Sequence, residues 1–130
     1  MYLIDSSLWI EYLRPKGSPK VKATVRELLQ KEEAMSCGII LIEVLRGARG
    51  NAEFELLQES LNALPQIAID EDVLKRAAKW GYELDRKGRV VPTTDLIIAS
   101  CAFGHATLLH ADSDFELIAS QLNLNQERIL

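Results

Sequence analysis

The chain has 130 residues, enough for one domain spanning 1–130 with a sizeable core. Hydrophobic residues make up 48% and charged residues 26%, which excludes a disordered tail. The net charge of −4 argues against a broad basic surface for duplex nucleic acid, although a cluster of metal-binding acids would itself lower the count.

Tyr2-Leu3-Ile4 reads as a short buried strand that ends at Asp5. Ser6 or Ser7 is then expected to cap a helix over about 8–13, stopped by Pro15 and Gly17. Ser18-Pro19 opens a second helix with Val21, Val25, Leu28 and Leu29 on one face. Residues 34–37 form a strand candidate. A helix over about 39–46 is apolar nearly all round, which predicts burial, and Gly47 is placed to cap its end. This stretch, the longest apolar run, contains Glu43 and is too short to cross a bilayer. The start of the chain has no signal-peptide pattern, so a cytoplasmic protein that does not engage membranes is expected.

Residues 51–63 are helical by periodicity, with Phe54, Leu57 and Leu61 turned inward. Ile67-Ala68-Ile69 is a strand candidate, and Asp70 caps a long amphipathic helix to about 85. Gly88 and Pro92 mark a loop, Thr93 or Thr94 caps a helix over about 95–103, and Gly104 ends it. Residues 106–110 give the clearest strand; Ser113 begins a last helix toward 120, and a final strand lies near 128–130. Short strands alternating with helices imply a parallel sheet covered on both faces. Right-handed crossovers gather the strand C-terminal ends along one edge, where such sheets bind ligands.

Against this frame, the acids stand out. Asp5, Glu43, Asp95 and the pair Asp112 and Asp114 sit inside or at the ends of apolar segments, with no equally placed Lys or Arg. A carboxylate in such a place must be paired, hydrogen-bonded or bound to metal. Each has a bland role: Asp5 as a helix cap, Asp95 as a first-turn acid, Glu43 as a partner of Arg46 three residues on, Asp114 as a solvated first-turn acid. All of them together suggest a shared cation. Oxygen ligands without histidine favour Mg²⁺ or Mn²⁺, whose natural chemistry beside clustered acids is phosphodiester hydrolysis.

Other residues divide between roles. Ser7 and Thr93 or Thr94 serve as caps or near the site. His105 and His110 have no ligand spacing and read as structural or surface residues. Trp9 and Tyr12 pack on the first helix or line a partner groove. Cys37 and Cys101 match no metal pattern and read as small buried hydrophobes. Lys75, Arg76, Lys79, Arg86, Lys87 and Arg89 form either a solvated helix face or a phosphate-gripping rim giving salt-dependent RNA binding.

Four segments also carry a family likeness: Asp5-Ser6-Ser7-Leu8-Trp9-Ile10-Glu11, Glu43-Val44-Leu45-Arg46-Gly47, Thr93-Thr94-Asp95-Leu96-Ile97-Ile98-Ala99 and Ala111-Asp112-Ser113-Asp114-Phe115. In order and spacing they resemble the motifs of PIN domains, and the chain is similar to VapC-type ribonuclease toxins over residues 2–115. The resemblance implies an α/β three-layer sandwich, a short parallel sheet flanked by helices. It further implies Mg²⁺ or Mn²⁺ binding, endonucleolytic cleavage of RNA (a single strand, or a tRNA or rRNA loop), a homodimer, and inhibition by a VapB-like antitoxin that inserts peptide into or beside the site.

Carried over residue by residue, Asp5 and Asp95 become the principal metal ligands, with Glu43 in the first or second shell. Asp112 or Asp114 is the closing acid; both are expected to face the site, Asp112 nearer the metal. Ser7, Thr94 and Arg46 support them. Rival readings are a housekeeping RNA-processing or decay nuclease, a phosphoacceptor signalling domain, and a non-catalytic RNA- or partner-binding module. The signalling reading lacks paired acids after the first strand and a Lys after the last.

Overall fold

A computed structural model describes residues 1–130. The elements in order are β1 (Tyr2–Ile4), α1 (Ser6–Leu13), α2 (Pro19–Gln30), β2 (Ala34–Cys37), α3 (Gly38–Leu45), α4 (Asn51–Asn62), β3 (Gln66–Ile67), α5 (Glu71–Arg86), α6 (Thr93–Ala102), β4 (Thr107–His110), α7 (Ser113–Gln121) and β5 (Gln126–Arg128). The strands form one five-stranded sheet in the order β3-β2-β1-β4-β5, and every neighbouring pair is parallel.

This order reverses direction at β1. From β1 the chain steps outward to β2 and β3, then returns to β4 on the other side of β1 and continues to β5. With right-handed crossovers, α1–α4 cover one face and α5–α7 the other, giving the expected three layers. The reversal opens a crevice at the C-terminal ends of β1 and β4, the place where such sheets bind ligands. Asp5 follows β1 directly and Asp112 lies two residues after β4.

The core is one cluster of 31 buried apolar residues, led by Leu3, Ile4, Leu8, Ile40, Ile98, Leu108, Leu109 and Phe115. Both cysteines are buried within it and unpaired, as expected of small hydrophobes. On α5 the Leu96 side chain of α6 packs onto Gly81, where an added Cβ would stand 2.9 Å from Leu96 Cδ1.

Several local expectations need correction. The first helix is capped by Asp5, whose carboxylate accepts the Ser7 N–H, rather than by Ser6 or Ser7. Thr93 and Thr94 lie in the first turn of α6, behind Pro92, instead of capping it. The helix α3 is not buried all round: Ile40, Val44 and Leu45 face the core, while Ile42 is 61% exposed. Phe54 of α4 likewise lies on the surface, and only Leu57 and Leu61 of that helix are buried. Gly47 follows α3 without a left-handed backbone, so its turn does not require glycine. The third strand is Gln66–Ile67 and the last is Gln126–Arg128, each displaced from the stretch expected by apolar pattern. In both, backbone pairing to a parallel neighbour decided the element where side-chain character did not.

Candidate metal centre

Three helix N-termini meet at the crevice. Asp5 caps α1, Asp95 sits in the first turn of α6, and Asp112 caps α7 with Asp114 in its first turn. Each helix start presents unpaired N–H groups and partial positive charge, which lowers the cost of collecting carboxylates there. Asp112 accepts the Asp114 N–H at 2.9 Å. Asp5 accepts both the Ser7 N–H at 3.2 Å and the Ser7 hydroxyl at 2.6 Å. The same Ser7 hydroxyl accepts the Ala111 N–H at 3.3 Å, tying the exit of β1 to the exit of β4. Ser7 therefore serves the site rather than capping the helix: it holds the Asp5 carboxylate and ties the two strand exits together.

The carboxylates of Asp95, Asp112 and Asp114 each offer an oxygen within 4.8 Å of the others. Asp5 and Glu43 stand outside that triple but share its electrostatic field. Asp5, 4% exposed, has its carboxyl pushed upward by burial, opposed by the Ser7 bonds, and raised further by Asp112. Glu43 is raised by burial and by Asp5 and lowered by the Ser6 hydroxyl, which donates to its Oε1 at 3.1 Å. Asp95 carries the largest effect among the acids: burial first, then Asp112, Asp5, Asp114 and Glu43, lift it to about 7. An acid lifted by burial and then by four neighbouring carboxylates marks a site short of positive charge.

The donor set fits a divalent cation. It consists of carboxylate oxygens with no histidine or thiolate among them, and no Lys or Arg reaches the triple to neutralise it. Arg46 is exposed and makes no close ion pair with Glu43, although its charge still lowers that carboxyl; the direct contact to the Glu43 carboxylate comes from Ser6. Thr94 is exposed next to Asp95.

Of the basic residues on α5 and the following loop, Lys75 and Lys79 pair with Glu71 and Glu83 on their own helix. Arg86 lies over the Tyr82 ring at 4.5 Å, and Lys87 donates to Gln121. Arg76 turns inward, donating to the Ser100 hydroxyl and carbonyl and lying over Phe103. The solvated-face reading accounts for most of this stretch. His105 is exposed at the opposite end of the sheet, and Trp9 packs edge-to-face on Tyr12 at 6.0 Å.

A test of Glu43 follows from its partner. In Glu43→Gln the side-chain oxygen still accepts the Ser6 hydroxyl while the charge near Asp5 and Asp95 is gone. Differential scanning calorimetry of the cation-free variant is expected to give a midpoint equal to or above that of the parent, with weaker Mn²⁺ affinity. A drop of several degrees without metal would instead identify the carboxylate as a structural partner.

A parallel sheet with its acids gathered at the crossover reversal defines an α/β sandwich with a candidate cation site at its switch point. The PIN domain family matches residues 2–121, and the chain belongs to it. Among characterised relatives, ribonuclease VapC11 of Mycobacterium tuberculosis is 38% identical over 129 residues, covering 95% of this chain and 96% of its own. Ribonuclease VapC1 of Haemophilus influenzae is 31% identical, covering 85% and 82%. In structure the chain resembles VapBC2 from Rickettsia felis, solved with a promoter DNA fragment, with a TM-score of 0.75 at 23% identity over 99% of this chain and 98% of that one. It also resembles FitAcB from Neisseria gonorrhoeae, with a TM-score of 0.72 at 21% identity over 92% and 94%.

Proposed function

We propose that the chain is a divalent-cation-dependent endoribonuclease that hydrolyses RNA phosphodiester bonds, acting as the toxin of a VapBC-type toxin–antitoxin pair. The observation that carries this reading is the convergence of Asp95, Asp112 and Asp114 at the crevice, with Asp5 and Glu43 beside them. The ion is Mg²⁺ or Mn²⁺ by donor chemistry, with Asp5, Asp95, Glu43 and Asp112 as its ligands or close neighbours. When bound it supplies positive charge for an RNA phosphate and polarises water for attack on phosphorus.

The chain's own residues do the rest. Ser7 holds Asp5 in one orientation through two bonds. Ser6 holds Glu43 through one bond to its Oε1, leaving the second oxygen free to orient a water. Asp114 and Asp112 are locked to each other through a backbone N–H. Arg46, exposed one turn from Glu43, is placed to meet a phosphate.

Beside Glu43, a groove of about 440 Å³ runs between α1, α3 and α4, lined in part by Ile10, Leu13, Val44 and Leu57. Ile10 and Leu13 are exposed within it, and charged Arg14, Arg49 and Glu53 complete its lining. That mixed apolar and charged groove beside Glu43 is the surface proposed for a VapB-like antitoxin, its peptide reaching the site from the side. A second exposed strip, Leu74, Tyr82 and Val90, suits a homodimer contact. No helix is long and apolar enough to cross a membrane, and the cytoplasm is the compartment proposed.

The experiment pairs two observations. Purified protein is expected to cleave RNA with Mg²⁺ or Mn²⁺ and to stop on chelation, and its expression is expected to arrest growth until a small neighbouring gene product is supplied. Cleavage without growth arrest would favour a housekeeping processing nuclease. Specific RNA retention with no cleavage under any divalent cation would favour a binding module.

A further inference from the structure

We infer that His110 is a positioning residue for the metal centre, whose ring in one fixed neutral tautomer sets the backbone that aims Asp112. This rests on the reading of Asp112 as a cation neighbour. His110 ends β4 and is fully buried, one of the few buried polar side chains in the chain. Its Nδ1 lies 3.1 Å from the Asp112 N, and a backbone N–H can only donate, so Nδ1 must be the unprotonated nitrogen. The proton then resides on Nε2, which lies 2.6 Å from Gln126 Oε1, an acceptor. The two contacts agree on a single tautomer.

The ring is held from three directions. Gln126 belongs to β5, the edge strand, whose following residue Ile129 donates its N–H to the His110 carbonyl at 3.0 Å. Phe115 of α7, also fully buried, packs against the ring at a centroid distance of 5.0 Å. Asp112 in turn is fixed at both ends: its N–H is accepted by His110, and its Oδ1 accepts the Asp114 N–H. The ring therefore adds a side-chain link between β5, already paired to β4, and the turn carrying Asp112 and Asp114. Groups that orient ligands in this way tune metal affinity without touching the ion.

Two substitutions separate positioning from simple filling of space. In His110→Asn the side-chain oxygen falls where Nδ1 stands and can still accept the Asp112 N–H. In His110→Gln the amide falls where Nε2 stands, keeping a polar contact to Gln126 but leaving the Asp112 N–H without its acceptor. Calorimetric titration with Mn²⁺ alone is expected to give near-parental affinity for His110→Asn and a loss of roughly 10–100-fold for His110→Gln. Equal affinities in two folded variants would overturn the inference. So would a ring ¹⁵N spectrum of the parent showing Nδ1 protonated, a readout that needs neither variant to fold. Asp112→Asn, titrated alongside, distinguishes the two levels. If it weakens Mn²⁺ binding while His110→Gln does not, only the positioning role fails; if it leaves binding untouched, the reading of Asp112 fails and the inference falls with it.

Discussion

Replacing Asp95 by Asn is expected to abolish RNA cleavage while making the cation-free protein more stable. Asp95 is the acid most affected by its neighbours, lifted to about 7 by burial and then by Asp112, Asp5, Asp114 and Glu43. Without a cation, that charge is desolvated and repelled. Asparagine is nearly the same shape and removes the charge, so the repulsion disappears without leaving a cavity. A gain of about 1 kcal/mol, or roughly 3–6 °C in thermal midpoint for a chain of this size, is the expected scale. Cleavage should fall by on the order of 10²-fold or more, because a charge aimed at the reacting phosphate site has been deleted. Opposite signs for stability and activity are the signature of a residue retained for function. A variant that is both less stable and still active would contradict this role.

Stability of the cation-free protein should fall as pH rises from about 4 to above 7, and saturating Mg²⁺ or Mn²⁺ should cancel that fall. Asp95 has an ordinary carboxyl value of 3.8 and a folded value of about 7. Between those limits the unfolded chain has released this proton and the folded chain still holds it. The folded state then binds more protons, and stability decreases with rising pH. The contribution is fully present below about 4 and lost above about 7; after allowance for solvent screening at a partly exposed carboxylate, it is roughly 1–2 kcal/mol. Asp5 and Glu43 are raised as well and act in the same direction. A bound cation favours the charged forms, so the curve should flatten above pH 7 when metal is present. Chemical denaturation at pH 5 and pH 8, with and without Mn²⁺, reads both effects. Equal cation-free stabilities at the two pH values would remove the electrostatic crowding on which the site is built.

The fold was largely legible because β1 and β4 are short apolar runs and two helices carry clear caps: Ser18 accepts the Val21 N–H and Asp70 the Val73 N–H, as the residues suggest. The acids were legible for a related reason. Asp5 and Asp112 end apolar strands, a place that asks for an explanation before any coordinates exist, and topology then brings them to one crevice. Glu43 was half legible: its apolar surroundings pointed to the site, but its partner is Ser6, 37 residues away, rather than Arg46, three residues away. Local spacing cannot reveal a contact made by a crossover. The exposure of Ile42 and Phe54 was hidden for the same reason, since apolar pattern alone does not say which side of a helix faces a partner groove. His110 offered only a faint signal, a histidine ending an apolar strand two residues before an acid. Its role depends on Gln126, in a β5 too polar to read as a strand.

The most direct test is a calorimetric titration of Mn²⁺ into the metal-stripped protein and into an Asp5→Ala, Asp95→Ala double variant whose fold is verified by circular dichroism. The expected result is saturable binding to the parent and none to the variant. Unchanged binding by the folded double variant would show that these carboxylates, distant in sequence and adjacent in space, do not assemble around an ion.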